Sequence, residues 1–496
     1  MKQDFRYLDD ALSHWAQHSP DAPALRLMGQ VTSYKALDDM ANAVASALIE
    51  QGVMQGARVV LHGAKSVQLI AAAYGALRVG ALYVPIDPTA PRERVMSQLS
   101  TVTPACILAD ERRLGDLKKA GIEAMHLDAC VRLDTPIDQA ALAERRAARQ
   151  PQSGAYILMT SGSTGAPKGI EHTHKSGLAY ASMSADLCQL TALDRVSHHT
   201  PMHFDMSIFD IFATAQVGAC TVIIPEMHTK MPASLADLVQ QEAITVWYSV
   251  PFAMIQLSER SALESKDLSA LRVVMFAGET MPPAALKAFA KHVPDATFIN
   301  AYGPTETNHC TSARFKAQDL DGVSALPIGV PEKDVQARIA QSGELLIASD
   351  QVMRGYWQDD ARTHAAFATL ADEDGVARRY YQTGDLVTRA ADGALTLLGR
   401  ADRQIKLRGY RIELDEIERA LTNTPGVTEA AVVLQDAHIV AFFTGTALPE
   451  PCFVKTHIAQ SLPPYALPEK LIALKQFLRT STGKIDRNAL IGQLNG

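Results

Sequence analysis

Over roughly 400 residues, helical apolar stretches alternate with short β-branched or apolar runs, and this rhythm limits the fold more than any other feature of the chain. SYKALDDMANAVASALIEQG predicts a helix after Ser33, a good N-cap, and ARVVLHG a strand behind it. The pattern recurs in VQLIAAAYGALRVG with ALYVPID, SLADLVQQEA with ITVWYSV, and LRVVMFAG with PPAALKAFAKHV. Such alternation predicts layered α/β architecture with largely parallel sheets. From about Val335 the pattern turns to close-set strands (VQARIA, GELLIAS, then LVTRAADGALTLLGR with a hairpin turn at Asp392-Gly393), which predicts a β-rich subdomain. Beyond Arg400, ADRQIKLRGYRIELDEIERAL predicts a polar strand feeding a short helix, and the Pro-marked remainder a small α+β domain. The expected division is therefore a core over 1–400 and a C-terminal domain over 401–496.

Composition excludes several classes. The 496 residues are 47% hydrophobic and 20% charged with a formal charge of −7, a globular profile that offers no basic footprint for nucleic acid. The N-terminus has no apolar signal core and no long uncharged apolar run appears, so a cytoplasmic protein is expected. Cys106, Cys130, Cys188, Cys220, Cys310 and Cys452 lack paired spacing, which speaks against zinc, redox pairs or a disulfide framework.

YILMTSGSTGAPKG (156–169) carries the most chemistry: an apolar strand runs into a loop of glycines and hydroxyls with one lysine. Glycines admit a polyanion close to the backbone, hydroxyls and amides donate to phosphate oxygens, and Lys168 adds a point charge. No GK[ST] closes the loop, so it is not a Walker A sequence, and SGSTG lacks the first glycine of a GxSxG nucleophile elbow.

TSGSTGAPKG resembles the phosphate loop of the adenylate-forming enzymes, the superfamily of acyl-CoA synthetases, luciferases and nonribosomal peptide synthetase adenylation domains. The resemblance continues in order through ALRVGALYVPIDPTAPRER, FDMSIFDIF, NAYGPTETN, GELLIASDQVMRGYW, YQTGDL, GRADRQIKLRGYRIELDEIE and STGKIDRNAL, from about residue 30 to 490. It implies a large N-terminal domain with a mobile C-terminal lid, and a reaction in which a carboxylate attacks the α-phosphate of ATP and releases pyrophosphate.

The resemblance also implies roles. Thr160, Ser161, Gly162, Ser163, Thr164, Gly165 and Lys168 would hold the β and γ phosphates; Thr305 would meet the α-phosphate and Glu306 would coordinate Mg²⁺. Tyr302, with Gly303 beside it, would pack on adenine, and Asp385, supported by Arg400, would accept the ribose hydroxyls. Lys484 would bridge the substrate carboxylate and the α-phosphate, Asp402 would be the hinge of the lid, and Gly409 would line a tunnel for a phosphopantetheine arm. Leu397 stands where many relatives have a tyrosine that stacks on adenine.

Asp205 matches an aspartate that pairs with the substrate ammonium in the amino-acid-activating group, although an N-capping role is the alternative. Met206, Phe209, Tyr248, Met275, Ala277, Ala301, His309 and Cys310, with Phe204 at the entrance and Lys484 at the carboxylate, would line a pocket for a small aliphatic, proline-like or β-amino acid. TVWYSVPFAMIQL and the order N-x-C-T after YGPTE are similar to stand-alone prolyl adenylating enzymes. With no carrier domain after Lys484, the expected acceptor is the phosphopantetheine arm of a separate carrier protein. The competing expectations are an acyl- or aryl-CoA ligase and a non-catalytic relative that only binds nucleotide or carrier.

Overall fold

In the computed structural model, residues 4–132, 137–162, 167–372, 375–445, 449–479 and 485–494 are described. The chain forms two compact units: one of residues 1–88, 103–159 and 169–401, the other of 89–102, 160–168 and 402–496.

The first unit is layered α/β. Among the described residues, one sheet has nine strands, from Val330–Pro331 through Thr311–Phe315, Thr297–Tyr302, Val273–Phe276, Val246–Ser249, Arg195–His198, Cys220–Ile223 and Pro23–Leu27 to Gln30–Ser33. Its middle is parallel, with Tyr248 level with Met275 and Met275 level with Ile299, and its margins are antiparallel. The central strands VWYS and VVMF are buried at every position, which is why they read as unbroken apolar runs. A seven-stranded sheet contains Gly154–Thr160 beside Leu82–Pro85, again mostly parallel. The helices between strands start as their residues dictate: Ser33 accepts from the Ala36 amide at 3.2 Å to open Tyr34–Glu50, and Ser66 does the same for Leu69.

The β-rich segment forms a five-stranded antiparallel sheet over Gln336–Ile339, Glu344–Ala348, Phe367–Ala371, Ala377–Arg389 and Leu395–Arg400. Its hairpin turns at Gly393, whose φ of 88° suits glycine, and brings Asp385 level with Arg400. Leu397 packs beside the cluster of Tyr302, Cys310, Val387 and Leu395.

In the second unit, the expected single polar strand is instead a hairpin. Gln404–Leu407 pairs with Tyr410–Glu413 around Arg408 and Gly409, with φ of 53° and 83°. Positive φ at both central residues is what a tight two-residue hairpin turn requires. Helix Leu414–Thr422 follows, and a three-stranded sheet of Glu429–Gln435, His438–Thr444 and Lys470–Ala473 completes the unit. Among the described residues no helix is long and apolar enough to cross a membrane. Cys130, Cys188, Cys220 and Cys310 are buried free thiols.

Candidate active site

The connection between Thr297–Tyr302 and Thr311–Phe315 organises the first unit's polar centre. It folds back on itself: the Thr307 amide donates to the Pro304 carbonyl and the Cys310 amide to the Tyr302 carbonyl. Gly303 is required there, since a Cβ would stand 1.8 Å from the Asn308 carbonyl oxygen. Asn308 takes a φ of 52°, which asparagine tolerates better than most residues.

Three contacts fix this loop. His172 Nε2 lies 2.9 Å from the Thr305 carbonyl oxygen, and burial lowers the His172 pKa to about 4, so the ring is neutral and donates. Glu306 is fully buried; its Oε1 accepts from the Tyr356 hydroxyl at 3.0 Å, and its carbonyl accepts from the Met353 amide. The Asn308 amide group donates to the Gln351 carbonyl at 3.1 Å.

Next to the loop, Tyr302 donates its hydroxyl to Asp385 Oδ2 at 2.5 Å, while Arg400 donates to Oδ1 at 2.9 Å. The carboxylate is 1% exposed and is thus held by a phenol and a guanidinium. Burial, reinforced by the Asp385 charge, pushes the Tyr302 phenol far up, so it stays a donor.

Met206, Phe209, Tyr248, Met275, Ala277 and Ala301 share one apolar cluster, with Phe209 edge-on to Tyr248 at 5.3 Å. Asp205 stands at the head of Met206–Ile208 and makes no side-chain capping bond, so the capping role does not account for it. Its charge reaches the buried phenols of Tyr156, Tyr180 and Tyr248, adding to the upward push that burial gives each of them. Phe204 is half-buried beside it. His309 is buried, its ring edge-on to Tyr180 at 5.0 Å. Cys310, expected in the same wall, belongs to the neighbouring cluster with Tyr302, its thiol turned to the Tyr302 carbonyl at 3.4 Å.

In the second unit, Thr160 ends the strand Gly154–Thr160, and its buried hydroxyl meets no partner among the described residues. Ser161 donates to the Arg411 carbonyl at 3.2 Å, Gly162 is buried, and Lys168 opens the strand Lys168–Thr173. Asp402 is exposed, begins the unit's C-terminal segment and accepts from the Gln404 amide at 3.1 Å. Ser163, Thr164, Gly165 and Lys484 lie outside the described residues.

His172, Tyr180 and Tyr356 escape sequence reasoning. Tyr356 lies within GELLIASDQVMRGYW and the other two in no quoted motif, but the partner of each is far along the chain; His172 and Thr305 are 133 positions apart.

The fold and these motifs define a nucleotide-using enzyme class: the chain belongs to the AMP-binding enzyme family, whose profile matches residues 12–357, while that of the AMP-binding enzyme C-terminal domain matches 416–484. More particularly, it is 33% identical over 515 residues to an L-proline–[L-prolyl-carrier protein] ligase of Pseudomonas fluorescens, covering 99% of this chain and 100% of that one. A ligase of the same name from Streptomyces coelicolor is 32% identical over 90% of this chain and 89% of its own. Among solved structures, the Vibrio cholerae adenylation domain AlmE in complex with glycyl-adenosine-5'-phosphate superposes with a TM-score of 0.84 at 26% identity, over 100% of this chain and 99% of that chain.

Proposed function

We propose that this chain uses ATP to adenylate an amino acid and then transfers the aminoacyl group to the phosphopantetheine thiol of a separate carrier protein. The observation that carries the reading is the match of the chain, over nearly its full length, to ligases named for a carrier protein. Asp205, which heads Met206–Ile208 and makes no side-chain capping bond, is the carboxylate suited to meet the ammonium of an amino acid. Membership of the AMP-binding family and full-length similarity to carrier-protein ligases support the same reaction.

In this reading Asp205 orients the amino acid so that its carboxylate faces the α-phosphate, where Thr305 and Lys484 bind. Asp385, itself held by Tyr302 and Arg400, accepts the ribose hydroxyls through its remaining lone pairs. The segment Thr160–Gly165 with Lys168 receives the leaving pyrophosphate, for which the unanswered Thr160 hydroxyl is suited. No group of three or more His, Cys, Asp or Glu among the described residues could hold a metal ion. Glu306, a hard carboxylate donor, would hold a Mg²⁺ ion, which when bound neutralises charge on the phosphates. The C-terminal domain, turning at Asp402, then presents Gly409 to the carrier's arm. A cytoplasmic location, where ATP and free amino acids are found, fits this reading.

ATP–pyrophosphate exchange over proteinogenic, cyclic and β-amino acids tests the first half, and mass spectrometry of a loaded carrier protein tests the second. Exchange with no amino acid would overturn the proposal.

A further inference from the structure

The segment that carries Asp205 is closed at its base by a buried polar cluster. It leaves the strand Arg195–His198, passes through Phe204 and Asp205, and enters a helical run made of Met206–Ile208, the π-turn Phe209–Ala213 and Thr214–Gln216. Asp210, fully buried inside the π-turn, ties the two ends together: its Oδ2 lies 3.0 Å from His198 Nδ1 and accepts from the Thr200 hydroxyl at 3.0 Å. The Asp210 carbonyl accepts from the hydroxyls of Thr214 and Thr221 at 2.9 and 2.6 Å, so backbone and side chain are both held. Lys65, buried and arriving from the loop behind the strand Arg58–His62, donates to the His198 and His199 carbonyls at 3.1 and 2.6 Å. Inside the closed span, the Ser207 hydroxyl donates to the Phe204 carbonyl at 2.6 Å and the Ile208 amide to the Asp205 carbonyl at 3.0 Å.

Two features set this cluster apart from ordinary core. A π-turn inside a helix is rare and concentrates at functional sites. A buried cation and carboxylate add little stability over apolar residues of the same volume, and their best-attested use is to hold one arrangement against its alternatives. Here burial lowers the Lys65 pKa to about 7 and raises that of Asp210, each shift opposed by the other group's charge. Asp210 Oδ1 and His198 Nε2 still have no hydrogen-bond partner among the described residues, a cost that packing alone does not call for. Resting on the reading of Asp205 as the partner of the substrate ammonium, we infer that Lys65, His198, Thr200 and Asp210 are positioning residues for the amino acid: they fix the π-turn and the base of the span, and through them the place of the Asp205 carboxylate. The same turn carries Phe209, next to Asp210 in the chain, which it holds edge-on to Tyr248 at 5.3 Å.

The test is a double-mutant cycle read by ATP–pyrophosphate exchange of the full chain, using the fastest substrate from a panel of L-proline, the other proteinogenic amino acids and β-alanine. Thr200→Val keeps the side-chain shape and removes the bond to Asp210; it is expected to raise the KM for the amino acid about fivefold and to leave the KM for ATP within about twofold. Lys65→Met should act in the same direction, and Thr200→Ser, which keeps the hydroxyl, should return KM to near the wild-type value. In an Asp205→Asn background, Thr200→Val should change the amino-acid KM by less than about twofold, because the carboxylate that it places is gone. Tyr7→Phe, which removes a 2.8 Å bond to the Arg149 carbonyl elsewhere in the same unit, should leave both KM values alone and so controls for general loosening. A Thr200→Val effect of equal size in both backgrounds, an equal effect on ATP, or no effect of either Thr200→Val or Lys65→Met would overturn this inference alone. An Asp205→Asn variant with the wild-type amino-acid KM, or exchange with no amino acid, would overturn it together with the reading on which it rests.

Discussion

Tyr302 and Asp385, 83 positions apart, are joined by a 2.5 Å hydrogen bond that leaves the carboxylate braced between a phenol and the Arg400 guanidinium. Tyr302→Phe removes one brace from a buried anion and is expected to destabilise the first unit by about 1–3 kcal/mol. If Asp385 carries the ribose, the same variant raises the KM for ATP several-fold while kcat changes less, which initial-rate exchange kinetics will read.

Asp205→Asn keeps the shape of the side chain and removes the charge. Loss of a desolvated ion pair to the substrate ammonium is expected to lower kcat/KM for the amino acid by roughly 100-fold. The desamino acid, which has no ammonium, should lose nothing. An acyl-CoA ligase would show the reverse ranking of substrates, with its preferred acid untouched by the substitution.

On the proposed mechanism, Lys484→Ala is expected to separate the two half-reactions. Pyrophosphate exchange should disappear, since no cation then bridges carboxylate and α-phosphate, whereas thioester formation from a supplied aminoacyl adenylate should persist. Exchange at the wild-type rate would remove Lys484 from the mechanism.

Acid should weaken the fold through its buried histidines. Burial lowers the pKa values of His62, His172 and His174 to about 4. Their unfolded counterparts bind protons below about pH 6.5, so the unfolded state carries more protons between pH 6.5 and 4. Stability is therefore full above pH 6.5 and falls on acidification through that window, by on the order of 1.4 kcal/mol per histidine per pH unit. Urea midpoints measured from pH 7.5 to 5 should drop accordingly, and His174→Gln should reduce the slope.

The parallel core was legible because its strands are buried on both faces and so carry runs such as VVMF, while Ser33 and Ser66 announce their helices. The hairpin of Gln404–Leu407 and Tyr410–Glu413 was not, since polar residues run through both strands and blur their alternation; the Arg408-Gly409 pair was the available signal. In the site, ordered motifs mark the residues proposed for the phosphate and ribose chemistry, but nothing in the sequence ties His172 to Thr305 or Tyr180 to His309. Those pairings come from long-range packing between a strand or helix and a distant loop. Cys310 shows the converse: adjacent to His309 in sequence, it turns into another apolar cluster because successive residues entering a strand face opposite ways.

If Thr305 and Glu306 serve the nucleotide and His309 the amino acid, the tight fold-back at Gly303 couples two tasks that an engineer would prefer to keep apart. Thr305 and Glu306 on one limb and His309 on the other hang from a single short span whose shape tolerates no added methyl at its base. Retargeting such an enzyme by exchanging lone wall residues therefore risks slowing turnover each time selectivity moves. Transplanting Tyr302–Cys310 whole, with Gln351 and His172 matched to it, preserves the internal spacing that both tasks share.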